Sequence, residues 1–167
     1  MQEPTKPEGV PGQPPLRIEN VSRETEAQVR ALVLAGLEER FGWLDSTLNP
    51  DLEQLTETYR SQGAIFLVGL LEDRAVCCGA YVPLEQGTGR IVRMSVHRPY
   101  RRLGYAGRIL AALEQTAAAR GCRRLELKTL AHWSDAVGFY KKHGYVCEHE
   151  SGGKLTMSKP VEPDSLE

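Results

Sequence analysis

Ile91-Val92-Arg93-Met94-Ser95-Val96-His97-Arg98-Pro99-Tyr100-Arg101-Arg102-Leu103-Gly104-Tyr105-Ala106-Gly107-Arg108 is the stretch that decides how this chain folds. Its first six residues suit a strand and its middle is a polar loop. From residue 105 a helix is predicted, because Ala106, Ile109, Leu110, Leu113 and Ala117 recur on one face before Gly121 ends the run. The first N–H groups of such a helix have no partners within it and carry partial positive charge. Gly104, Ala106 and Gly107 leave room for a ligand to touch that backbone, and Arg101, Arg102 and Arg108 add positive charge. A strand, a loop of small residues and a helix N-terminus together suit a pyrophosphate. Taken alone, the same residues also fit a tight turn beside a solvated arginine face. Neither GxxxxGK[ST] nor a GxGxxG following a strand is present, which removes two other nucleotide-binding motifs.

Upstream, residues 16–21 read as a strand and Ser22 as the N-cap of a helix. Val29, Leu32, Val33, Leu37 and Phe41 form that helix's apolar face, and Gly42 stops it. Asn49-Pro50-Asp51 signals a second helix with Leu52, Leu55 and Tyr59 on its apolar side, ended by Gly63. The unbroken apolar run 64–71 predicts a strand buried on both faces, and 75–82 returns from it as a hairpin. Downstream, 123–129 alternates as a strand should, with Leu125 and Leu127 on one side. A helix is predicted over 134–143, then a hairpin of 145–150 and 154–158 across Ser151-Gly152-Gly153. One mixed α/β domain over 16–160 results. Residues 1–15, with five prolines, read as a flexible tail, and the acidic residues 161–167 as a frayed end.

Composition narrows the function. The 167 residues carry a net charge of −1, so the chain as a whole does not favour nucleic acid. No apolar run approaches the length that spans a bilayer, and the N-terminal residues lack the apolar core of a signal peptide. The four cysteines, Cys77, Cys78, Cys122 and Cys147, have neither CxxC nor metal-ligand spacing, so no metal site is expected. They read as reduced thiols, which with the missing signals points to a cytoplasmic protein.

Arg101-Arg102-Leu103-Gly104-Tyr105-Ala106 matches [QR]-x-x-G-x-[GA], the acetyl-CoA motif of the GCN5-related N-acetyltransferases, and Val96 to Arg101 resembles that family's lead-in. Ala136-Val137-Gly138-Phe139-Tyr140-Lys141-Lys142-His143-Gly144-Tyr145 resembles its last helix and the turn after it. The two motifs are separated by one helix and one strand, as in the family, and the resemblance covers about residues 16–159. It implies a twisted, mixed, mostly antiparallel sheet of about seven strands with four helices. Strands 90–96 and 123–129 would splay apart, around a bulge in the former, to form the acetyl-CoA cleft. The backbone of Met94 and Val96 would then bond the pantetheine arm, with Ser95 between them counted in the coenzyme site, and a backbone N–H near Met94 or Ser95 would serve the oxyanion. The loop from Arg101 through Leu103 and Tyr105 to Gly107 would hold the pyrophosphate through the N–H groups of Arg102, Gly104, Ala106 and Gly107. Trp133 stands where many members of the family carry asparagine.

The implied reaction is attack of a neutral amine on the thioester of acetyl-CoA, the cosubstrate. An alkylammonium has a pKa near ~10.4 and the leaving thiol one near ~8.5, so a base and a weak acid would both help. By resemblance Tyr140 is the acid; as a residue it could equally be aromatic packing. Glu126 is the candidate base, with pairing to Arg124 or Lys128 as the alternative. Trp43, Asp45, Asp51, Glu53 and Glu57 lie where the family shapes its acceptor pocket, and acid there would attract a cationic amine. The expected partner is a small-molecule primary amine. A protein or peptide acceptor and a non-catalytic acyl-CoA sensor stay open, and the edge of the last hairpin is open to pairing as a homodimer.

Overall fold

A computed structural model describes residues 9–42 and 49–162. Its strands are β1 (Leu16–Asn20), β2 (Ile65–Leu71), β3 (Arg74–Pro83), β4 (Thr88–Val96), β5 (Arg124–Leu130), β6 (Val146–Ser151) and β7 (Lys154–Pro160). Its helices are α1 (Glu26–Phe41), α2 (Leu55–Ser61), α3 (Tyr105–Ala119) and α4 (Ser134–Lys142). The strands form one sheet in the order β1-β2-β3-β4-β5-β7-β6. Every neighbouring pair is antiparallel except β4 and β5, which run parallel. This is the seven-stranded, four-helix α/β architecture expected from the sequence.

Helices cover both faces of the sheet, which is why β2 and β3 are apolar on both sides. On one face α3 contributes Ile109, Leu110 and Leu113, all fully buried, against Val76, Leu125, Leu127 and Met157. Burying each such side chain contributes about 1.5–3 kcal/mol. On the other face α1 and α2 pack Val29, Val33, Leu55 and Tyr59 over Phe66, Val68, Cys78 and Ala80. Cys77, Cys78 and Cys122 are buried free thiols, and burial pushes the Cys77 thiol up to about 12. Cys147 is free and exposed.

Two helix starts differ from the sequence reading. The cap of α1 is Thr25, not Ser22. The buried Thr25 hydroxyl bonds back to both the N–H and the carbonyl of Ser22, so residues 22–25 close a turn and the helix begins after it. The second helix is split into a single 3-10 turn at Pro50–Leu52 and then α2. Side chains of α1 cause the break. Arg30 takes the carbonyls of Leu52 and Glu53, and Glu26 takes the N–H of Thr56, so those groups cannot serve a continuous helix.

Chain ends that the sequence assigned to loose tails touch the core near the domain boundary. Val10 and Val161 both pack against the α3-side cluster, and Val161 N–H bonds the Arg123 carbonyl at 2.8 Å. Residues 1–8 and 163–167 lie outside the described residues. Strand β6 forms one sheet edge and is exposed along its length. Among the described residues, no helix is long and apolar enough to cross a membrane.

Candidate active site

Strands β4 and β5 pair only at Thr88–Arg124, Gly89–Leu125 and Arg90–Glu126, then separate. The cause lies within β4. Its register on β3 jumps between Cys78–Ser95 and Ala80–Val92, so Arg93 and Met94 together oppose Gly79. That is a β-bulge, and Arg93 adopts φ 58 to make it. Beyond the bulge Met94 turns into the α3-side core, into space that a Cβ on Gly79 would occupy. His97 N–H bonds the Val76 carbonyl on β3 at 2.7 Å. Alternation along an antiparallel strand then turns the polar groups of Val96 away from β3, and Arg101 Nε donates to its carbonyl at 3.1 Å.

Two cavities meet at this gap. The larger, about 1160 Å³, runs from the start of α3 to α4. The smaller, about 270 Å³, lies between α1 and the separated strands, with Val33, Leu37, Val92 and Leu127 among its walls. Gly36, Arg40, Met94, Ser95, Val96, Trp133, Ala136 and Tyr140 line both, so they mark the junction.

At the far end of the larger cavity α3 begins at Gly104, whose φ is 86, a region costly for any residue with a Cβ. Arg102 shares the left-handed conformation with φ 63. Arg108 N–H closes the first helical bond, to the Gly104 carbonyl, at 3.2 Å. The N–H groups from Arg102 to Gly107 have no hydrogen-bond acceptor among the described residues. Arg102, Gly104, Tyr105, Ala106 and Gly107 line the cavity, and a Cβ on Gly104 would meet nothing within 4 Å. The Tyr105 hydroxyl is buried without a partner at the same end. Free amides, open space and surrounding guanidinium groups fit a diphosphate. Leu103, on the outer side of the loop, is exposed and is absent from the cavity wall.

Tyr140 projects from α4 at the junction, stacked edge-on against Phe139 and Tyr145. Its hydroxyl has no hydrogen-bond partner among the described residues. Burial drives its pKa upward, with only Arg40 pulling the other way, so the phenol keeps its proton at neutral pH. Glu126 lies elsewhere. It accepts from Arg90 at 2.7 Å and from Arg124 at 3.2 Å at the closed end of the β4–β5 pair, and it lines neither cavity. The Arg90 hydrogen bond holds its carboxyl below the usual range, against burial and with help from Arg124. The structure thus gathers Tyr140, Met94, Ser95, Val96 and most of the 101–107 loop around one cleft and leaves Glu126 outside it.

Of the acidic residues suggested as an acceptor lure, Asp51 is bound by Arg93 at 2.6 Å and by the Tyr59 hydroxyl at 2.7 Å. Asp51, Glu53 and Glu57 line neither cavity, and Trp43 and Asp45 lie outside the described residues. Instead the end of α1 closes the site. Glu39 makes two bonds to Arg101, at 2.7 and 2.8 Å, and Arg40 makes two to Asp135 of α4, both 2.8 Å. The Arg40 guanidinium also sits 4.6 Å from the Trp133 ring centre. Sequence reasoning passed over Gly36, Glu39, Arg40 and Asp135. Glu39 lies 62 positions from Arg101 and Arg40 lies 95 from Asp135, so no local pattern marks these pairs.

The sequence profile of the acetyltransferase (GNAT) family matches residues 31–145. The chain therefore belongs to the GNAT acetyltransferase family. "Probable N-acetyltransferase 14" of Xenopus tropicalis is 32% identical over 99 residues, covering 58% of this chain and 48% of that protein. The chain spans less than half the length of the curated relatives it matches. The fold resembles a GNAT-family acetyltransferase of Staphylococcus aureus MU50, with TM-score 0.79, 17% identity and coverage of 89% of this chain and 100% of that one. It also resembles the PaiA N-acetyltransferase of Thermoplasma acidophilum, crystallised in complex with coenzyme A. There the TM-score is 0.76 at 16% identity, covering 88% of this chain and 99% of that one.

Proposed function

We propose that this protein is an acetyl-CoA-dependent N-acetyltransferase acting on the primary amine of a small molecule. One observation carries the reading: the gap between β4 and β5 joins two cavities, and Tyr140 stands where they meet. Acetyl-CoA supplies the activated acyl group as its thioester. The amides from Arg102 to Gly107 hold its diphosphate, and the free edge of β4 at Met94 to Val96 orients its arm. Tyr140 protonates the departing sulfur as the C–S bond breaks, and the proton shed by the amine as the C–N bond forms returns to it through water; burial keeps the phenol protonated between turnovers. The smaller cavity takes the acceptor. Its volume of about 270 Å³ is below the usual range for drug-sized ligands, which favours a small amine over a peptide. Of the cations lining it, Arg40 and Arg93 are each paired with a carboxylate and Lys128 is exposed, so its apolar walls Val33, Leu37, Val92 and Leu127 carry much of the acceptor contact. Glu126, spent on two arginines, is a poor base, and proton removal through water in the open cleft fits the geometry better.

Free-thiol release from acetyl-CoA, measured against a panel of small amines and flexible peptides, tests the proposal. Release with a small amine supports it. Faster release with peptides would favour a protein acceptor instead, and acetyl-CoA binding without release under any amine would favour a sensor. Absence of both binding and release would remove the enzymatic reading.

A further inference from the structure

Strict alternation along Ile91 to Val96 would set Ile91, Arg93 and Ser95 on one face of the sheet and Val92, Met94 and Val96 on the other. Ile91 faces the α3-side core, so a regular strand would drive the Arg93 guanidinium into that core. Instead Val92 and Arg93 both turn toward α1 and α2, and Met94 takes the core position. The extra residue that allows this is Arg93 itself, held at φ 58, a conformation unfavourable for a side chain of its size.

Something must hold it there, and Asp51 makes the contacts. Arg93 Nη2 donates to Oδ1 at 2.6 Å and Nε to Oδ2 at 3.1 Å, while the Tyr59 hydroxyl donates to Oδ2 at 2.7 Å. Both charged side chains are mostly buried, with relative exposures of 21% and 26%. Burial opposes the Asp51 charge, yet the Arg93 and Tyr59 hydrogen bonds outweigh it and hold the carboxyl below its usual range. A two-bond arginine–carboxylate pair in such surroundings fixes orientation as well as charge.

We propose that Asp51 is a positioning residue, which locks Arg93 in the β4 bulge and thereby keeps open the gap between β4 and β5. The proposal rests on the acetyl-CoA reading for its consequence, since the gap is where the arm of the coenzyme lies. Asp51 touches no reacting atom; it acts through Arg93 on the backbone of Met94 to Val96.

Glycine provides the test, because it takes positive φ without strain and needs no lock. Coenzyme A binding by calorimetry and thermal melting would be compared in the full chain and in Asp51→Asn, Arg93→Gly and the double variant. Asp51→Asn is expected to weaken coenzyme A binding about tenfold, a coupling normal for contacting residues. The double variant should bind within about threefold of Arg93→Gly. Wild-type affinity in Asp51→Asn, or the same loss in both backgrounds, would overturn the lock. If Asp51→Asn does not fold, a folded double variant supports the lock and an unfolded one rejects it. If the unaltered protein does not bind coenzyme A, the functional reading fails separately. Melting then decides alone: Asp51→Asn should lower the midpoint by about 3 °C or more with Arg93 present and by clearly less with glycine there, where only the Tyr59 contact is altered, and an equal drop in both backgrounds would overturn the lock.

Discussion

Arg40 of α1 and Asp135 of α4 are joined by two N–H···O bonds of 2.8 Å where the two cavities meet, with the Trp133 ring beneath the guanidinium. The pair connects elements packed on opposite faces of the sheet. Its side chains are 33% and 73% exposed, so water screens it and its worth to stability is at most about 1 kcal/mol. Asp135→Ala should therefore shift the melting midpoint by less than about 4 °C. It should nevertheless release Arg40 from its place over Trp133. In a Trp43→Phe background, where Trp133 is the remaining indole, emission should change on Asp135→Ala. Unchanged emission would mean that Asp135 does not hold Arg40 there.

Gly104 separates two effects at the proposed phosphate site. Gly104→Ala meets no atom within 4 Å but imposes a Cβ at φ 86, so a loss of about 1 kcal/mol in stability is expected with coenzyme binding largely retained. Gly104→Glu adds a negative side chain where the diphosphate would lie, and binding should vanish. Calorimetry with coenzyme A on both variants checks the contrast. Equal affinities would reject the start of α3 as the phosphate site.

Tyr140→Phe keeps the ring packing against Phe139 and Tyr145 and removes only the hydroxyl. Turnover should drop about a hundredfold while affinity for acetyl-CoA changes by less than about twofold. Parallel steady-state kinetics and calorimetry measure the split. Undiminished kcat would assign Tyr140 to packing alone.

Acid should weaken the protein through its paired carboxylates. The Arg101 hydrogen bond lowers Glu39, the Arg40 hydrogen bond lowers Asp135, and Asp51 is lowered by Arg93 and Tyr59 against burial. A carboxyl depressed in the folded state adds stability above its unfolded pKa, about 3.8 for Asp and 4.5 for Glu, and loses it as pH falls through the folded value. Melting midpoints should therefore be level with respect to these groups from pH 7 to about 5 and fall below about 4. Asp51→Asn should flatten that fall. An identical acid limb in the variant would show that Asp51 carries none of it.

Much of this arrangement was legible in advance because it depends on local signals. Apolar spacing in α3 and the unbroken run of β2 fixed the elements, and Gly104 within the 101–106 motif marked the open start of α3. The starts of α1 and α2 differ for two reasons: Thr25 turns back on Ser22 in a local turn before α1, and Arg30, distant in sequence, claims carbonyls that propensity assigns to the second helix. Glu126 was read from its position mid-strand beside the cleft. Its true surroundings depend on which residue of a parallel neighbour, Arg90, falls beside it, and strand register is a long-range property.

The order of elements, the small residues at the start of α3 and the tyrosine on α4 were determined by the sequence itself, because hydrophobic period and backbone permissiveness act within a few residues. The strap from Glu39 and Arg40, the pairing of Asp51 with Arg93 and the withdrawal of Glu126 from the cleft were decided only in three dimensions. Charges choose partners by distance in space, and that distance exists only once the sheet has folded and α1 has packed across it.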